Sequence, residues 1–452
     1  MPLSLLDKHR QPESIAIVGG GITGIAAALE LAKAGVFKIT LFEKEKEIGG
    51  LSAYYQWEQI ICDRFYHVIL STDRCLLEFI QDLDLTSRLF WKDTKSGFYG
   101  QNKLVSFSST FDFVRFPFLS FWQKIRMGFG IIYASQIKNP SNLKSMLAKV
   151  WLIKVFGRRA YDNIWEPLLY SKLGNAKDII PATFIWSTIK RLYAARSFIR
   201  KQEKMGHVRG GYYAILNAAR RRLSELQVRV MTNATVVKAN PDPDNKKIKL
   251  AASTTNSYFD RVLFTIPSPE IVKVLDISTE DSYWEKLKQM EYLRVICVLL
   301  ILNRKLSLYY VTNLLDKNLP FTGIIESTNI ISPREMAGKS LVYLPRYLTN
   351  DDPLDDLADQ QIIDIFIYNL KVIFPDLDDT QILHKNIFRE KYVQPIHKID
   401  RFESETYFQT KIPNVYLANS SMICTSTLNN NAVIDIAKRA ATAILKDSAR
   451  SV

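Results

Sequence analysis

The chain has 452 residues, a net charge of +14 and a hydrophobic content of 47%, which fit two or three domains or one large discontinuous fold. Its four cysteines and five histidines lack metal-ligand spacing, so we expect no metal cofactor and a reducing compartment such as the cytoplasm. The N-terminal residues contain no apolar signal core, and no apolar run is long enough to span a bilayer, which also favours a cytoplasmic protein.

The first predicted elements are a strand, a glycine-rich turn and a helix. The apolar run from Ile15 to Val18 predicts the strand, and the periodic segment from Ile22 to Leu31 predicts the helix. Gly19, Gly21 and Gly24 have the spacing G-x-G-x-x-G. Glycines so placed permit a tight turn, backbone approach to a pyrophosphate and close packing of helix on strand, while the helix N-terminus faces the phosphates. The pattern therefore predicts a dinucleotide site.

A second strand and an acidic residue complete this motif. The run from Lys38 to Phe42 predicts a strand that ends on Glu43, whose carboxylate can accept hydrogen bonds from ribose hydroxyls. Gly49-Gly50 follows at a distance that suits a chain folding back over the same pyrophosphate. The sequence contains no second G-x-G-x-x-G and no Cys-x-x-Cys or Cys-x₄-Cys redox pair. This combination favours one bound FAD over an exchangeable NAD.

Helix and strand signals of the nucleotide-binding type return later in the chain. Residues 86–200 are mostly helical by pattern, with strand-like pieces near Gly97 to Ser106. After Gly210-Gly211, the segment from Tyr212 to Leu226 predicts a helix that is followed by short strands. Near the C-terminus, Val415 to Ala418 predicts a strand, and Asn430 to Leu445 predicts a helix. Segments with other patterns separate these three units along the chain.

This distribution resembles the flavin-containing amine oxidase superfamily, which includes protoporphyrinogen oxidases, phytoene desaturases and monoamine oxidases. The resemblance implies an α/β fold with a Rossmann-type FAD-binding domain assembled from discontinuous segments, plus an α+β substrate domain with a helical insertion. It assigns residues 1–85, 205–270 and 395–452 to the FAD-binding domain. Residues 86–204, largely helical, and residues 271–394, containing a sheet, then form the substrate domain.

Several positions match the FAD-binding motifs of this superfamily. The predicted cofactor-binding residues are Gly19, Gly21, Ile22, Thr23, Gly24, Glu43, Lys44, Gly50, Leu51, Val236, Pro267, Ser420, Asn430 and Ala432. Val236 matches the strand whose backbone holds the adenine, and the helix near Asn430 would aim its N-terminal amides at the flavin. Two positions depart from the pattern: Leu51 stands where a basic residue often contacts pyrophosphate, and Asn419-Ser420 replaces a Gly-acid pair. Because no cysteine shortly precedes the C-terminal motif, the resemblance implies noncovalent FAD.

The candidate catalytic residues are Tyr66, His67 and Tyr392. Tyr66 and His67 follow the second glycine pair where chains of this superfamily pass beside the flavin ring, so they are candidates for proton handling or flavin contact. Tyr392 is a candidate for the aromatic cage of amine-oxidising members. A structural role is the alternative for each of them. Lys172 lies in the helical insertion, shortly after Trp165-Glu166-Pro167. In one interpretation this segment lines a pocket, and in the other its Glu-Pro pair marks an ordinary helix boundary.

The positive charge is concentrated in one part of the chain. Residues 113–161 contain nine Lys or Arg and no Asp or Glu. This asymmetry favours an anionic partner, either a membrane surface or a phosphorylated substrate, whereas no motif for nucleic acid accompanies it. The segment from Phe111 to Ile132 adds many aromatic residues, which suits peripheral contact with the inner face of a membrane. A helix that lines an apolar cavity or belongs to the core is the alternative.

Together these features predict an FAD-dependent oxidoreductase of the desaturase or oxidase type. It would accept hydride from an apolar or amphiphilic small molecule and pass the electrons to dioxygen or a quinone. Two alternatives remain open. One is a flavoenzyme without net redox change that resembles UDP-galactopyranose mutase and acts on a nucleotide sugar, and the other is a flavin-binding scaffold without turnover.

Overall fold

The computed structural model describes residues 12–194, 203–242, 244, 246–277, 281–350, 352–399, 408–424 and 427–450. In these residues the strands are β1 (Glu13–Val18), β2 (Phe37–Phe42), β3 (Tyr54–Trp57), β4 (Ile60–Asp63), β5 (Ile69–Leu70), β6 (Leu89–Thr94), β7 (Ser96–Gly100), β8 (Lys103–Ser106), β9 (Glu203–Val208), β10 (Arg229–Met231), β11 (Val236–Asp242), β12 (Lys247–Ala252), β13 (Thr255–Phe259), β14 (Arg261–Phe264), β15 (Tyr292–Leu302), β16 (Val311–Leu314), β17 (Gly323–Glu326), β18 (Ser340–Leu348), β19 (Ile382–Pro395) and β20 (Val415–Leu417). The helices are α1 (Ile22–Lys33), α2 (Arg74–Asp82), α3 (Thr110–Arg115), α4 (Phe121–Gln136), α5 (Ser141–Lys144), α6 (Ala148–Phe156), α7 (Arg158–Ala160), α8 (Glu166–Leu173), α9 (Ala182–Ala194), α10 (Gly211–Glu225), α11 (Ser268–Leu275), α12 (Ser282–Lys288), α13 (Asp359–Ile373) and α14 (Asn430–Arg450).

A five-stranded parallel sheet joins distant parts of the chain in the order β10-β2-β1-β14-β20. In register, Val18 pairs with Phe42 on one side and with Phe264 on the other. Parallel strands covered on both faces are apolar along their length, and β1 and β14 show this pattern. Helices α1, α10 and α14 contribute to the core on one face. The carboxyl ends of β1, β2, β14 and β20 therefore meet at one edge.

A smaller antiparallel sheet, β11-β12-β13, packs with α11 against the opposite face of the parallel sheet. Strand β11 continues through Asn240, Pro241 and Asp242. Asn, Pro and Asp are typical of a turn, but the antiparallel pairing with β12 continues through these three residues, and Pro243 lies outside the described residues. An edge strand tolerates Pro241 because its missing amide removes no essential bond.

A seven-stranded mixed sheet has the order β19-β15-β18-β17-β16-β7-β8. Strand β15 lies between two antiparallel neighbours, and its continuous apolar sequence is explained by burial on both faces. Val298 and Leu300 pack towards α13, whereas Cys297 and Leu299 share a cluster with the β3–β4 hairpin. Strand β7 precedes the central part of the chain, so residues far apart in sequence share this sheet.

The helices from α3 to α9 form a separate cluster with its own core, which includes Trp151, Phe156 and Tyr161. This core also touches Leu293 of β15 and Tyr347 of β18, which attaches the helices to one end of the seven-stranded sheet. Among the described residues, no helix has the length and apolar content needed to cross a bilayer.

The architecture agrees with the predicted class of mixed α and β structure built on a parallel sheet. The sequence missed β9 and β13, whose residues alternate weakly between apolar and polar. The finer division into domain segments remains a prediction.

Candidate active site

The glycine turn after β1 has the geometry that a dinucleotide site requires. Gly19 has a φ of +113°, and a Cβ there would lie 2.6 Å from Thr265 Oγ1. A Cβ on Gly24 would lie 1.9 Å from the Gly19 carbonyl oxygen, so only glycine allows α1 to approach the turn. A Cβ on Gly21, by contrast, would meet only the Gly50 Cα at 4.0 Å. Open space therefore lies over Gly21, at the start of α1.

The second glycine pair returns to the first, as the sequence suggested. The Gly49 amide donates to the Gly20 carbonyl oxygen at 2.8 Å, and Gly21 and Gly49 form an isolated parallel bridge. Helix α1 begins at Ile22 with no side-chain cap, which leaves the first-turn amides, including those of Ile22 and Thr23, without a capping side chain. Leu51 lies in a half-buried 3₁₀ turn from Gly50 to Ser52. The two loops thus form a cradle that suits a pyrophosphate.

Glu43 stands at the carboxyl end of β2 and is 7% exposed. Its Oε2 accepts the Gly20 amide at 2.7 Å, and its Oε1 accepts the Glu45 amide at 2.9 Å. Burial raises the pKa of the Glu43 carboxyl, and the two amide hydrogen bonds oppose that rise. Carboxylate oxygens retain further lone pairs, so Glu43 can still accept hydrogen bonds from a ribose.

The loop that leads into β11 lies beside Glu43. The Ala234 amide donates to the Glu43 carbonyl oxygen at 2.8 Å, and the Asn233 amide donates to the Glu45 carbonyl oxygen at 3.0 Å. Val236, which the sequence assigned to adenine binding, begins β11 and is buried. Lys44 is largely exposed and lies 3.7 Å from Glu45. The structure thus brings Val236 near Glu43 but directs Lys44 to the surface.

The carboxyl ends of β14 and β20 are tied together by Asn419. Its amide nitrogen donates to the Ile266 carbonyl oxygen at 2.7 Å, and its Oδ1 accepts the Ser421 amide at 2.9 Å. Pro267 is the N-cap residue of α11, and the 3₁₀ turn that starts at Ser420 lies beside it. The departure from a Gly-acid pair therefore has a structural use, because the Asn419 side chain is 2% exposed and joins two strand ends.

The start of α14 lies against the turn that follows Gly50. The Asn430 side-chain amide donates to Ser52 Oγ at 3.2 Å, and Ser52 Oγ lies 3.4 Å from His67 Nε2. The Ala432 amide, which the sequence assigned to flavin contact, donates instead to Asn429 Oδ1 at 2.9 Å. Asn429 acts as an N-cap, a role that local spacing alone does not distinguish from ligand binding.

His67 is held in a setting that disfavours its charged form. Its ring lies 4.5 Å from the Tyr212 ring, and its Nδ1 is 3.9 Å from Asp63 Oδ2, too far for a hydrogen bond. Burial lowers the pKa of His67 to about 4. Burial also raises the pKa of Asp63 to about 6, against the opposing effect of the Tyr212 amide. At neutral pH His67 is therefore a neutral imidazole beside Ser52.

Tyr66 and Tyr347 form a hydroxyl pair with an oxygen–oxygen distance of 3.1 Å. Burial raises the pKa of both hydroxyls, so both are protonated at neutral pH. The Lys172 ammonium lies 5.6 Å from the Tyr347 ring centroid and 6.0 Å from that of Phe184. These side chains are half-buried, and aromatic groups around a single cation suit the lining of a ligand site, so we infer that a cavity lies between them.

Lys172 has no ion-pair partner in the part of the chain that the structure describes. The nearby Arg191 is paired with Asp73, whose Oδ2 lies 2.8 Å from the guanidinium. Burial and the positive charge of Arg191 lower the pKa of Lys172 to about 8. The inferred cavity is therefore lined by the ammonium group of Lys172, which is mostly protonated at neutral pH and is not paired with a carboxylate of the described residues.

Tyr392 does not join this group. Its hydroxyl donates to Glu270 Oε1 at 2.6 Å, and its ring lies 5.4 Å from the Tyr292 ring near α11. None of its described contacts involves Tyr66 or His67. The prediction of an aromatic cage that contains Tyr392 gains no support from this placement.

Sequence reasoning missed Ser52, Tyr212 and Tyr347, and it left Lys172 undecided. Their neighbours come from distant segments, so no local pattern points to them. Gly211 offered one indirect signal, because a Cβ there would lie 3.0 Å from Asp63 Oδ1 and would disturb the start of α10. Glycine at the first position of α10 thus lets Tyr212, the next residue, lie beside His67.

These features together fit a flavin dinucleotide. The open cradle over Gly21 would hold the pyrophosphate, Glu43 would hold the ribose, and Ser52, His67 and Asn430 would face the flavin ring. No group of three or more potential metal ligands occurs among the described residues.

Known proteins share this fold over almost its whole length. A protein of Exiguobacterium sp. 255-15, provisionally named a protoporphyrinogen oxidase, is 17% identical with a TM-score of 0.74, and the match covers 96% of this chain and 99% of that one. Reduced UDP-galactopyranose mutase is 15% identical with a TM-score of 0.74, covering 96% of both chains. Wild-type putrescine oxidase bound to putrescine is 14% identical with a TM-score of 0.70, covering 96% of this chain and 99% of that one. At these identities the likeness concerns the fold.

Sequence comparison gives the family. Tryptophan 2-monooxygenase of Pantoea agglomerans pv. gypsophilae is 44% identical over 55 residues, which amount to 12% of this chain. The matched part spans only 9% of that relative's length. Residues 22–445, most of the chain, match the family described as flavin containing amine oxidoreductase. The chain therefore belongs to the flavin-containing amine oxidoreductases.

Proposed function

We propose that the chain is an oxidoreductase with noncovalent FAD that oxidises an amphiphilic small molecule, one with an apolar body and an acidic group. The observation that carries the proposal is the ammonium of Lys172, which lies over the rings of Tyr347 and Phe184 with no carboxylate partner among the described residues. Apolar and aromatic walls with one charged group are typical of sites that orient such a ligand.

When bound, FAD supplies hydride acceptance, so that the substrate loses a hydride and a proton, and dioxygen or a quinone then takes the two electrons to form hydrogen peroxide or a quinol. The chain's own residues position the substrate. His67, neutral at physiological pH, can accept a proton at a ring nitrogen, and the Tyr66–Tyr347 hydroxyl pair can donate hydrogen bonds to a polar substrate atom.

Lys172 is the group expected to select the substrate. A cation held away from water without a counter-ion is unfavourable by several kcal/mol, and each aromatic ring offsets only about 0.5–2 kcal/mol of this. A bound carboxylate would supply the missing partner. Because its pKa is lowered to about 8, Lys172 remains mostly charged at neutral pH, so an acidic substrate is favoured over an amine.

The test is an anaerobic titration of the flavin-loaded protein with apolar carboxylic acids, their methyl esters, apolar amines and a UDP-sugar. The readout is the loss of the visible flavin absorbance on reduction. We expect acids to reduce the flavin, and Lys172→Met to weaken their binding by about 10- to 150-fold, the effect of one charge-assisted hydrogen bond. Lys172→Arg should lose less.

Lys190 offers a matched control. It also lies over an aromatic ring, 4.8 Å from the Trp186 centroid, but its ammonium donates to the Ile137 carbonyl oxygen outside the cavity. Lys190→Met should therefore leave acid binding unchanged. The proposal would be contradicted if an ester or an amine reduced the flavin as fast as the acid does, and if the acid reduced the flavin of Lys172→Met at the rate seen in the parent. Conversion of the UDP-sugar only after prior reduction of the flavin would instead support the mutase alternative.

A further inference from the structure

We propose that an exposed apolar face on α3 and α4 docks the protein on a bilayer that contains anionic lipid. This docking face consists of Phe111, Val114, Phe121, Trp122, Ile125, Phe129, Ile132 and Tyr133. Trp122 is 76% exposed and Phe129 is 71% exposed, although both are among the residues that globular proteins usually cover.

Helix α4 has the reverse of the usual amphipathic arrangement. Its buried side is made of Met127, Gly130 and Ala134, and a Cβ on Gly130 would lie 2.6 Å from a ring carbon of Phe156. At 100° per residue, its exposed large apolar side chains fall on the opposite side, within an arc of about 120°. Packing within the fold accounts for the buried residues of α4, including Met127, and leaves these exposed side chains uncovered by the other described elements.

The surroundings of the docking face are positively charged. Residues 113–161 carry nine Lys or Arg and no Asp or Glu, and Arg115, Arg126 and Lys138 are exposed. The Arg115 guanidinium lies 4.0 Å from the Phe111 ring centroid, which places a cation at the rim of the apolar surface. Aromatic side chains surrounded by cations match the interfacial region of an anionic membrane.

A second copy of this chain is a poorer occupant. In a two-fold dimer the same patch occurs on both subunits, so the docking face would bring two basic rims together. Like charges across an interface oppose association, whereas lipid phosphates neutralise them. The charge pattern thus favours the membrane.

The docking face is connected with the candidate active site through α9. The Trp186 ring nitrogen donates to the Ala134 carbonyl oxygen at 2.9 Å, which fixes α9 against α4. Phe184, also on α9, lies beside Lys172 in the cavity. A protein docked by α4 would hold the cavity one helix away from the membrane, where an amphiphilic substrate accumulates.

The experiment is co-sedimentation of the full-length, flavin-loaded protein with vesicles of phosphatidylcholine alone or with phosphatidylglycerol added. We expect binding to the mixed vesicles at low salt, at least tenfold weaker binding to neutral vesicles, and weakening by salt. The double variant Trp122→Ser, Phe129→Ser should bind at least tenfold less. Because both side chains are exposed, its thermal midpoint and flavin content should equal those of the parent.

Helix α13 supplies the matched control, since Tyr368 is 70% exposed and Val372 is 51% exposed far from the basic segment in sequence. Tyr368→Ser, Val372→Ser should keep full vesicle binding. Absence of binding in the parent, equal binding to neutral vesicles, or unchanged binding in the docking-face variant would each overturn the proposal. A self-association that the variant abolishes, without vesicle binding, would assign the face to a protein contact instead.

Discussion

Replacing Glu43 with glutamine separates its role in the fold from its role in cofactor binding. In the parent, Glu43 accepts two amides, from Gly20 at 2.7 Å and from Glu45 at 2.9 Å. Glutamine has one acceptor oxygen, so its NH₂ group must face one of these amides and leave that donor unsatisfied. An unsatisfied buried donor costs about 1–3 kcal/mol, which should lower the stability of the flavin-free protein.

The same substitution should weaken FAD binding by a further, separable amount. A ribose hydroxyl that donates to a carboxylate contributes about 1.5–3 kcal/mol, and most of this is lost when the acceptor becomes neutral. The dissociation constant of FAD should therefore rise by about 10- to 150-fold.

Two measurements test this reasoning: thermal or urea unfolding of the flavin-free proteins, and titration of each with FAD by flavin fluorescence. Glu45→Gln is the matched control, because Glu45 is the neighbouring acid but is largely exposed, and both quantities should stay at the parent values. A Glu43→Gln protein that is less stable but binds FAD within about twofold of the parent would show that Glu43 only holds the glycine turn.

Three further predictions concern the turn, the imidazole and the cofactor. Gly24→Ala should abolish FAD binding, because its methyl group would lie 1.9 Å from the Gly19 carbonyl oxygen, and retention of FAD on a desalting column would contradict this. The pKa of His67 is lowered to about 4, below the value of about 6.5 in an unfolded chain, so its stabilising contribution is present above about pH 6.5 and is lost as the pH falls towards 4. The thermal unfolding midpoint of His67→Gln, measured relative to the parent, should therefore rise as the pH is lowered from about 7.5 to about 5. A difference between the two proteins that does not change with pH would refute the lowered pKa of His67. Heat or acid should release intact FAD into solution, and flavin that stays with the precipitated chain would show a covalent link.

Local sequence patterns were sufficient for the dinucleotide motif. The spacing of Gly19, Gly21 and Gly24 reflects contacts between a strand, a turn and the helix that follows it, all within a few residues. Glu43 was also predictable, because it ends the next strand of the same unit. A motif formed by neighbouring residues can be recognised before the tertiary structure is known.

The cavity could not be predicted in this way. Lys172 on α8, Tyr347 on β18 and Tyr66 after β4 meet only because the helical cluster packs on one end of the seven-stranded sheet. Likewise, the hydrogen bond from the Ala432 amide to Asn429 Oδ1 depends on side-chain geometry that the sequence does not give, and the flavin contact of Ala432 stays a prediction.

The segment from Phe111 to Ile132 shows the same limit most clearly. Its composition predicted either a membrane contact or a buried helix, because the same apolar and aromatic residues suit both. Gly130 and Ala134 decide between them, because their small size lets α4 lie close to Phe156 and Trp186, with Trp122 and Phe129 facing outwards. The sequence by itself determined that this helix is aromatic and basic, whereas only packing against its neighbours decided which side chains remain exposed.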